Sequence, residues 1–190
     1  EKHLHGFQIW GGLPKDMEQK AATFHHTEAD DIPVWHDGNL QYKLIAGELF
    51  GRKSPVPVHS KLFFLEIKSQ DAKKINIGGD LFGEVAMYVL DGTVNIDGNT
   101  FGGKQLLIAK NATLCEFEMS ENTTVYLFGG EPFNEERFIF WNFVNSDKEI
   151  IEQAKINWYN QNHDAFPLVP GDEEEFVPLP KAILNSRLSK

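Results

Sequence analysis

Punctuation is what most constrains this chain. Across residues 40–144, short runs rich in β-branched and aromatic residues are broken repeatedly by Gly, Asn and Asp, a pattern that leaves little room for helices and predicts an antiparallel sandwich or barrel. Strands are expected at residues 61–68 (KLFFLEIK), 85–90 (VAMYVL), 93–96 (TVNI), 106–109, 114–119 and 123–128. Alternation groups Phe63, Leu65 and Ile67 on one face, and Val85, Met87 and Val89 on another. These two sets, or the opposite parity of both together, are expected to point inward. Asp91-Gly92 and Asp97-Gly98 suit the positive φ of tight hairpin turns, which makes the TVNI segment between them one strand of a meander.

Past the strands the period changes. Ser146-Asp147-Lys148-Glu149 matches the S-x-x-E capping box, so a helix capped by Ser146 is expected to run to about residue 160. Ile151, Ala154 and Trp158 recur at helical spacing and give it a face to dock on the β body. Beyond it, Pro167, Pro170, Pro178 and Pro180 bracket the acidic run Asp172 to Glu175, the composition of an extended tail. A length of 190 residues with 41% hydrophobic content is enough for one core without a disulfide or metal staple.

Charge and cysteine usage exclude several function classes. With 28 acids against 18 bases the net charge is −10, which repels a phosphate backbone, and the basic clusters (Arg52-Lys53, Lys73-Lys74 and the tail bases) are short and scattered. Direct nucleic-acid binding is not expected. The single cysteine, Cys115, rules out an internal disulfide, a four-cysteine zinc site and a C-x-x-C redox pair. No run of 18 apolar residues and no signal-type N-terminus is present, so a soluble cytoplasmic protein without a membrane partner is expected.

Candidate chemistry is sparse. His3-x-His5 could place two imidazoles on one face of a strand, but a third ligand is missing, since the next acid is Asp16 beyond the Gly11-Gly12-Leu13-Pro14 turn. His25 and His26 point to opposite faces if extended, and His36 and His59 stand alone. The segment Gly47 to Ser54 approaches a phosphate-binding loop but carries Arg52 where the glycine belongs, so a turn between strands is expected. Cys115 alternates with Phe117 and Met119 and is read as a small core residue rather than a nucleophile. Asn111-Ala112-Thr113 and Asn122-Thr123-Thr124 match glycosylation acceptors by chance.

Longer strings carry more information. HGFQIWGGLPK (residues 5–15) resembles the pirin-family segment HGFQLWVNLP that follows the first cupin barrel. The order continues as in pirins through Asp31-Ile32-Pro33, LIAGELFGRKSPV (44–56), YVLDGTVNIDG (88–98), GGEPFNE (129–135), a strand and helix within 141–158, and FVPLP (176–180). The resemblance implies an all-β, cupin-type, jelly-roll-like antiparallel barrel with one C-terminal helix and an extended tail. Pirins are bicupins whose iron is held by three histidines and a glutamate of the first barrel, upstream of the HGFQ segment. On that resemblance, residues 1–30 are the exit strand and linker of a missing N-terminal cupin, 31–160 the C-terminal cupin with its docking helix, and 161–190 the tail. Residues 4–10 then form an exposed strand without its normal partner, an edge through which the chain self-associates or meets a protein partner.

The general cupin pattern, HxH, three or four residues, Glu, six residues, Gly, tests this half for metal. Anchored on Gly92 it places the carboxylate at Val85 and the histidines at Gly79 and Leu81, or at Gly78 and Asp80 with the longer gap. The second pattern, anchored on Gly103, places its proline at Ala109, its glycine at Asn111 and its histidine at Leu114. Only Asp80 carries a ligating group, so this half is expected to hold no metal, cofactor or catalytic residue, with His3 and His5 the weak outsiders. For the intact protein the resemblance implies an Fe(II)-dependent dioxygenase of quercetin type, with Fe(II) in the missing cupin and this chain structural and inactive alone. The alternatives are a redox-sensitive transcriptional co-regulator binding a protein partner, or a non-catalytic binding module.

Overall fold

The period-two alternation is realised as two antiparallel sheets closed on a shared core. The computed structural model describes residues 6–77, 79–109 and 116–180. A seven-stranded sheet has the order β1 (Val34–Asp37), β2 (Leu40–Leu49), β4 (Leu62–Ser69), β11 (Thr123–Gly130), β6 (Glu84–Asp91), β9 (Gln105–Ala109), with β3 (Arg52–Lys53) paired to the end of β2. A four-stranded sheet has the order β5 (Lys73–Asn76), β10 (Glu116–Met119), β7 (Thr93–Ile96), β8 (Asn99–Gly102). Their inner faces meet in one hydrophobic cluster, with Leu44, Leu65, Met87 and Leu127 contributed by the first sheet and Ile75, Val94, Phe117 and Met119 by the second. Phe63, Leu65, Ile67, Val85, Met87 and Val89 are all no more than 1% exposed, which settles the parity of both strands. Each such side chain contributes roughly 1.5–3 kcal/mol of burial.

The turns show which dipeptides make hairpins. Asp97 and Gly98, at φ 50° and 79°, close a two-residue turn between Ile96 and Asn99, as their sequence demands. Phe50 and Gly51 do the same between Leu49 and Arg52, so the segment that approaches a phosphate loop is a β2–β3 hairpin. Asp91-Gly92 departs from expectation, because β6 and β7 belong to different sheets and no hairpin joins them. Gly92 is instead a corner where the chain crosses between sheets. At φ 74°, a Cβ there would lie 2.1 Å from Thr123 Oγ1. The freed amide of Thr93 donates to Ser120 Oγ (3.1 Å) and to Thr123 Oγ1 (3.3 Å). Gly47, at φ 80°, sits beside a β2 irregularity between Leu44 and Ala46, where buried Ser54 donates its hydroxyl to the Ile45 carbonyl at 2.7 Å.

The chain divides into two compact units, Ala21–Pro132 and a second that combines the N-terminal residues up to Lys20 with those from Phe133 onward. The barrel expected over 40–144 therefore ends its own unit at Pro132, and its hydrogen bonding runs within two sheets. In the second unit, β12 (Phe138–Phe140) and β13 (Phe143–Asn145) form a hairpin, and α1 (Lys148–Tyr159) packs on it. Ile151 is buried, and the ammonium groups of Lys148 and Lys155 lie 4.3 and 4.4 Å from the ring centres of Phe138 and Phe140. The helix cap is Asp147 rather than Ser146: its carboxylate accepts from the Glu149 amide at 2.8 Å. The Ser146 hydroxyl is taken by a carboxylate from the start of the chain, donating to Glu18 Oε2 at 2.7 Å. Residues 6–10, part of the strand expected over 4–10, form no strand, and Phe7, Ile9 and Trp10 are exposed. Residues 4 and 5 lie outside the described residues.

Candidate functional site

Among the described residues, the positions at which the metal-binding patterns place ligands carry no ligating side chain except Asp80. Val85, which occupies the carboxylate position, is 1% exposed in the core, while Leu81 and Ala109 pack against the same cluster. Asp80 is exposed on a turn, away from any set of three His, Cys, Asp or Glu side chains among the described residues. Gly78, Asn111, Leu114 and Cys115 lie outside the described residues, as do His3 and His5. The side chains at the described positions do not fit an iron ion, which needs two histidines and a carboxylate converging with open coordination sites. His25, His36 and His59 are exposed and separate, and His26 pairs with Glu28 at 3.0 Å on the surface. Asn122 is an exposed turn residue at φ 52°.

The polar group that stands out lies on the other face of the sheet. Glu66 faces away from the core on β4 yet is only 7% exposed. It accepts the Tyr126 hydroxyl at 2.6 Å and the Lys68 ammonium at 3.0 Å. The register explains the meeting: Glu66 is opposite both Tyr126 on β11 and Lys43 on β2, and Tyr126 is in turn opposite Tyr88 on β6. Phe64 packs beside them, 5.7 Å from Tyr126 and 6.0 Å from Phe128 between ring centres. Burial pushes the Tyr126 phenol well above its ordinary range, and the hydrogen bond and charge of Glu66 add to the effect. The phenol therefore stays protonated and donates. With its charge balanced by Lys68, Glu66 is neither an available base nor an open ligand. The arrangement orders the outer face of the sheet. Local sequence does not show it, since an outward-parity Glu reads as solvated until the β4–β11 register is known. Near Lys68, a cleft of about 360 Å³ is lined by His36, Gln41, Gln70, Asn122 and Thr124.

In the second unit the dense polar centre is Glu18. Its Oε1 accepts the Ser146 amide and Arg137 Nε, both at 2.9 Å, and the two side chains are 7% and 12% exposed. Arg137 also donates to the Leu13 carbonyl at 2.9 and 3.2 Å, and it lies over the Phe133 ring at 4.2 Å. These bonds clasp the N-terminal segment to the β12–β13 hairpin.

Two antiparallel sheets around one apolar core, with the strand orders β4-β11-β6-β9 and β5-β10-β7-β8, make a double-sheet jelly roll, the architecture to which cupins belong. A crystal structure of quercetin 2,3-dioxygenase from Acinetobacter baumannii has this fold, with a TM-score of 0.70 at 25% identity over 79% of this chain and 50% of that one. GK1651 from Geobacillus kaustophilus shares the fold at a TM-score of 0.55 and 19% identity, covering 65% of this chain and 53% of the other. Within the cupins the assignment narrows: residues 64–164 match the Pirin C-terminal cupin domain, and the chain belongs to the pirin family. A pirin-like protein of Caulobacter vibrioides is 37% identical over 94% of this chain and 60% of its own length. A Pseudomonas aeruginosa protein provisionally named a quercetin 2,3-dioxygenase is 30% identical over 83% of this chain and 50% of its own. The chain thus spans about half to three fifths of these relatives. No helix among the described residues is long and apolar enough to cross a membrane.

Proposed function

We propose that this chain is the metal-free, structural cupin half of a pirin-type protein whose complete form is an Fe(II)-dependent dioxygenase acting on quercetin-like flavonols. The observation that carries the reading is the apolar filling at Val85 and Leu81, where a metal cupin would present its carboxylate and a histidine. The dioxygenase part is supported by the names of the Pseudomonas and Acinetobacter relatives. Iron and oxygen chemistry then belong to a second cupin, and this half contributes a rigid sandwich and its surfaces.

The test compares this chain with a bicupin that carries it. Metal analysis should find iron only in the longer protein, and quercetin consumption should follow the iron. Anaerobic Fe(II) should leave the melting temperature of this chain unchanged. A specific metal at about 100 times its dissociation constant would add roughly 2.7 kcal/mol, a rise of about 5–11 °C for a protein of this size. Such a rise, abolished by His3→Ala or His5→Ala, would refute the metal-free reading. Iron loading of the bicupin without quercetin turnover would overturn the dioxygenase part in favour of a redox-sensitive co-regulator.

A further inference from the structure

The folding of the segment after α1 back onto its last turn builds a cavity that the cupin chemistry does not use. The cavity measures about 130 Å³, and Trp158, Phe166 and Phe176 line it together with Asp172, Glu175 and His163. The rings form a corner. Phe166 stands 76° from the plane of Trp158 with centres 5.3 Å apart, and Phe176 lies 24° from parallel at 5.5 Å. The indole is held in place by its Nε1, which donates to the Val177 carbonyl at 2.9 Å, and Trp141 and Phe143 support it from the hairpin. The loop is held as well: Phe166 donates its amide to the Asn162 carbonyl at 2.9 Å, and Val169 pairs with Asp172.

We propose that this corner is a binding site for a small organic cation, a free quaternary or alkylated ammonium solute. Three aromatic side chains line the cavity, and an aromatic ring is the known means of holding such a group. Two carboxylates complement it, and neither Asp172 nor Glu175 has a cationic side-chain partner among the described residues. Among the described residues no lysine or arginine lines the cavity. The space suits a headgroup of a few heavy atoms, since about 30 Å³ is one water's share of liquid volume. A bare metal ion is disfavoured, since no group of three His, Cys, Asp or Glu side chains able to hold one occurs among the described residues. The chain's net charge of −10 favours the encounter with any cation.

The experiment is isothermal titration of the full chain at pH 8 and low salt with tetramethylammonium, with choline, and with 3,3-dimethylbutan-1-ol, the neutral isostere of choline. Both cations should bind, the alcohol at least about tenfold more weakly, and the assigned Trp158 indole N–H resonance should shift during the titration. Phe176→Ala removes an exposed wall and should weaken choline binding about two- to thirtyfold. The double variant Asp172→Asn, Glu175→Gln should weaken the cations but not the alcohol. Equal affinity for choline and its isostere, or no binding of either cation at millimolar concentration, overturns the proposal. A trimethyl-lysine peptide that binds tighter than choline overturns the free-solute assignment and gives the site to a protein side chain. Far-ultraviolet circular dichroism checks that each variant is folded.

Discussion

Replacing Glu18 by alanine should loosen the second unit more than any other single surface-proximal change. The carboxylate accepts three bonds, from the Ser146 amide, the Ser146 hydroxyl and Arg137 Nε, at 2.7–2.9 Å, and both members of the ion pair are nearly buried. Removing one partner of a buried pair costs about 3–5 kcal/mol, because the other charge is left uncompensated. Arg137 keeps the Leu13 carbonyl and the Glu135 carboxylate, so the lower end, about 3 kcal/mol, is expected. With a urea slope of roughly 1–3 kcal/mol/M, the midpoint followed by tryptophan emission should fall by about 1–3 M. Glu18→Gln retains an acceptor for the Ser146 amide but loses the charge and puts an amide donor where the Ser146 hydroxyl donates, so that hydroxyl must turn to accept, and its cost should be smaller than that of alanine. Amide exchange at Ser146 should accelerate in the alanine variant before exchange in β4 or β11 does. A Glu18→Ala protein within about 0.5 kcal/mol of the parent, the range of ordinary surface substitutions, would refute the claim that this clasp holds the N-terminal segment.

Three further outcomes are expected. Because the Tyr126 phenol is raised above the value of about 10 for an unfolded tyrosine, its contribution is complete below that pH. It is lost as the pH rises further, since the unfolded chain releases its proton first. Tyr126→Phe should cost about 1.5–3 kcal/mol at neutral pH through the lost bond to the Glu66 carboxylate and flatten the alkaline limb of thermal stability measured from pH 8 upward. Gly98→Ala and Gly47→Ala share a positive φ, but Gly98 faces open space whereas a Cβ at Gly47 would lie 1.8 Å from the Leu62 carbonyl oxygen. The first should cost about 1–2 kcal/mol and the second enough to abolish cooperative melting; equal costs would show that the close approach is not retained. Deleting residues 1–12 removes exposed Phe7, Ile9 and Trp10 and should weaken any self-association seen by light scattering, whereas an unchanged mass before and after would show that this segment is not an interface.

What sequence alone reveals here follows from the range of each signal. The parity of β4 and β6 is readable because a period of two leaves only two choices, and Phe63, Leu65, Ile67 with Val85, Met87, Val89 make one of them consistent. The Asp97-Gly98 hairpin is readable because both residues tolerate positive φ and the flanking strands are short. Asp91-Gly92 has the same chemistry and a different outcome, since a positive φ says where the chain bends but not which strand it meets next. Ser146 illustrates the limit at a helix end. Ser and Asp at adjacent positions can both cap, and the choice is made by Glu18, 128 residues away in sequence. Glu66 is hidden for the same reason: its partner Tyr126 is 60 residues distant and reaches it only through the register of two strands.

The distribution of polar groups in this cupin bears on where its function resides. A metal-bearing cupin keeps hydrogen-bonding side chains inside and accepts the cost of burying them. Here the inner positions carry Val85, Met87, Leu65 and Leu127, all at most 1% exposed, and buried Glu66 is turned to the outer face. Introducing a histidine at Val85 would place a polar ring among apolar neighbours with no described acceptor or second ligand, so recovery of a metal site by one substitution is not expected. The outer face behaves in the opposite way. Its aromatic rings are close-packed, its buried carboxylate Glu66 accepts from Tyr126 and Lys68, and Leu106 and Ile108 on the edge strand β9 are 53% and 73% exposed. A sheet with a saturated interior and an ordered, partly apolar exterior is built to hold its shape and present a surface, and on the proposed reading that surface is what this half contributes to the larger protein.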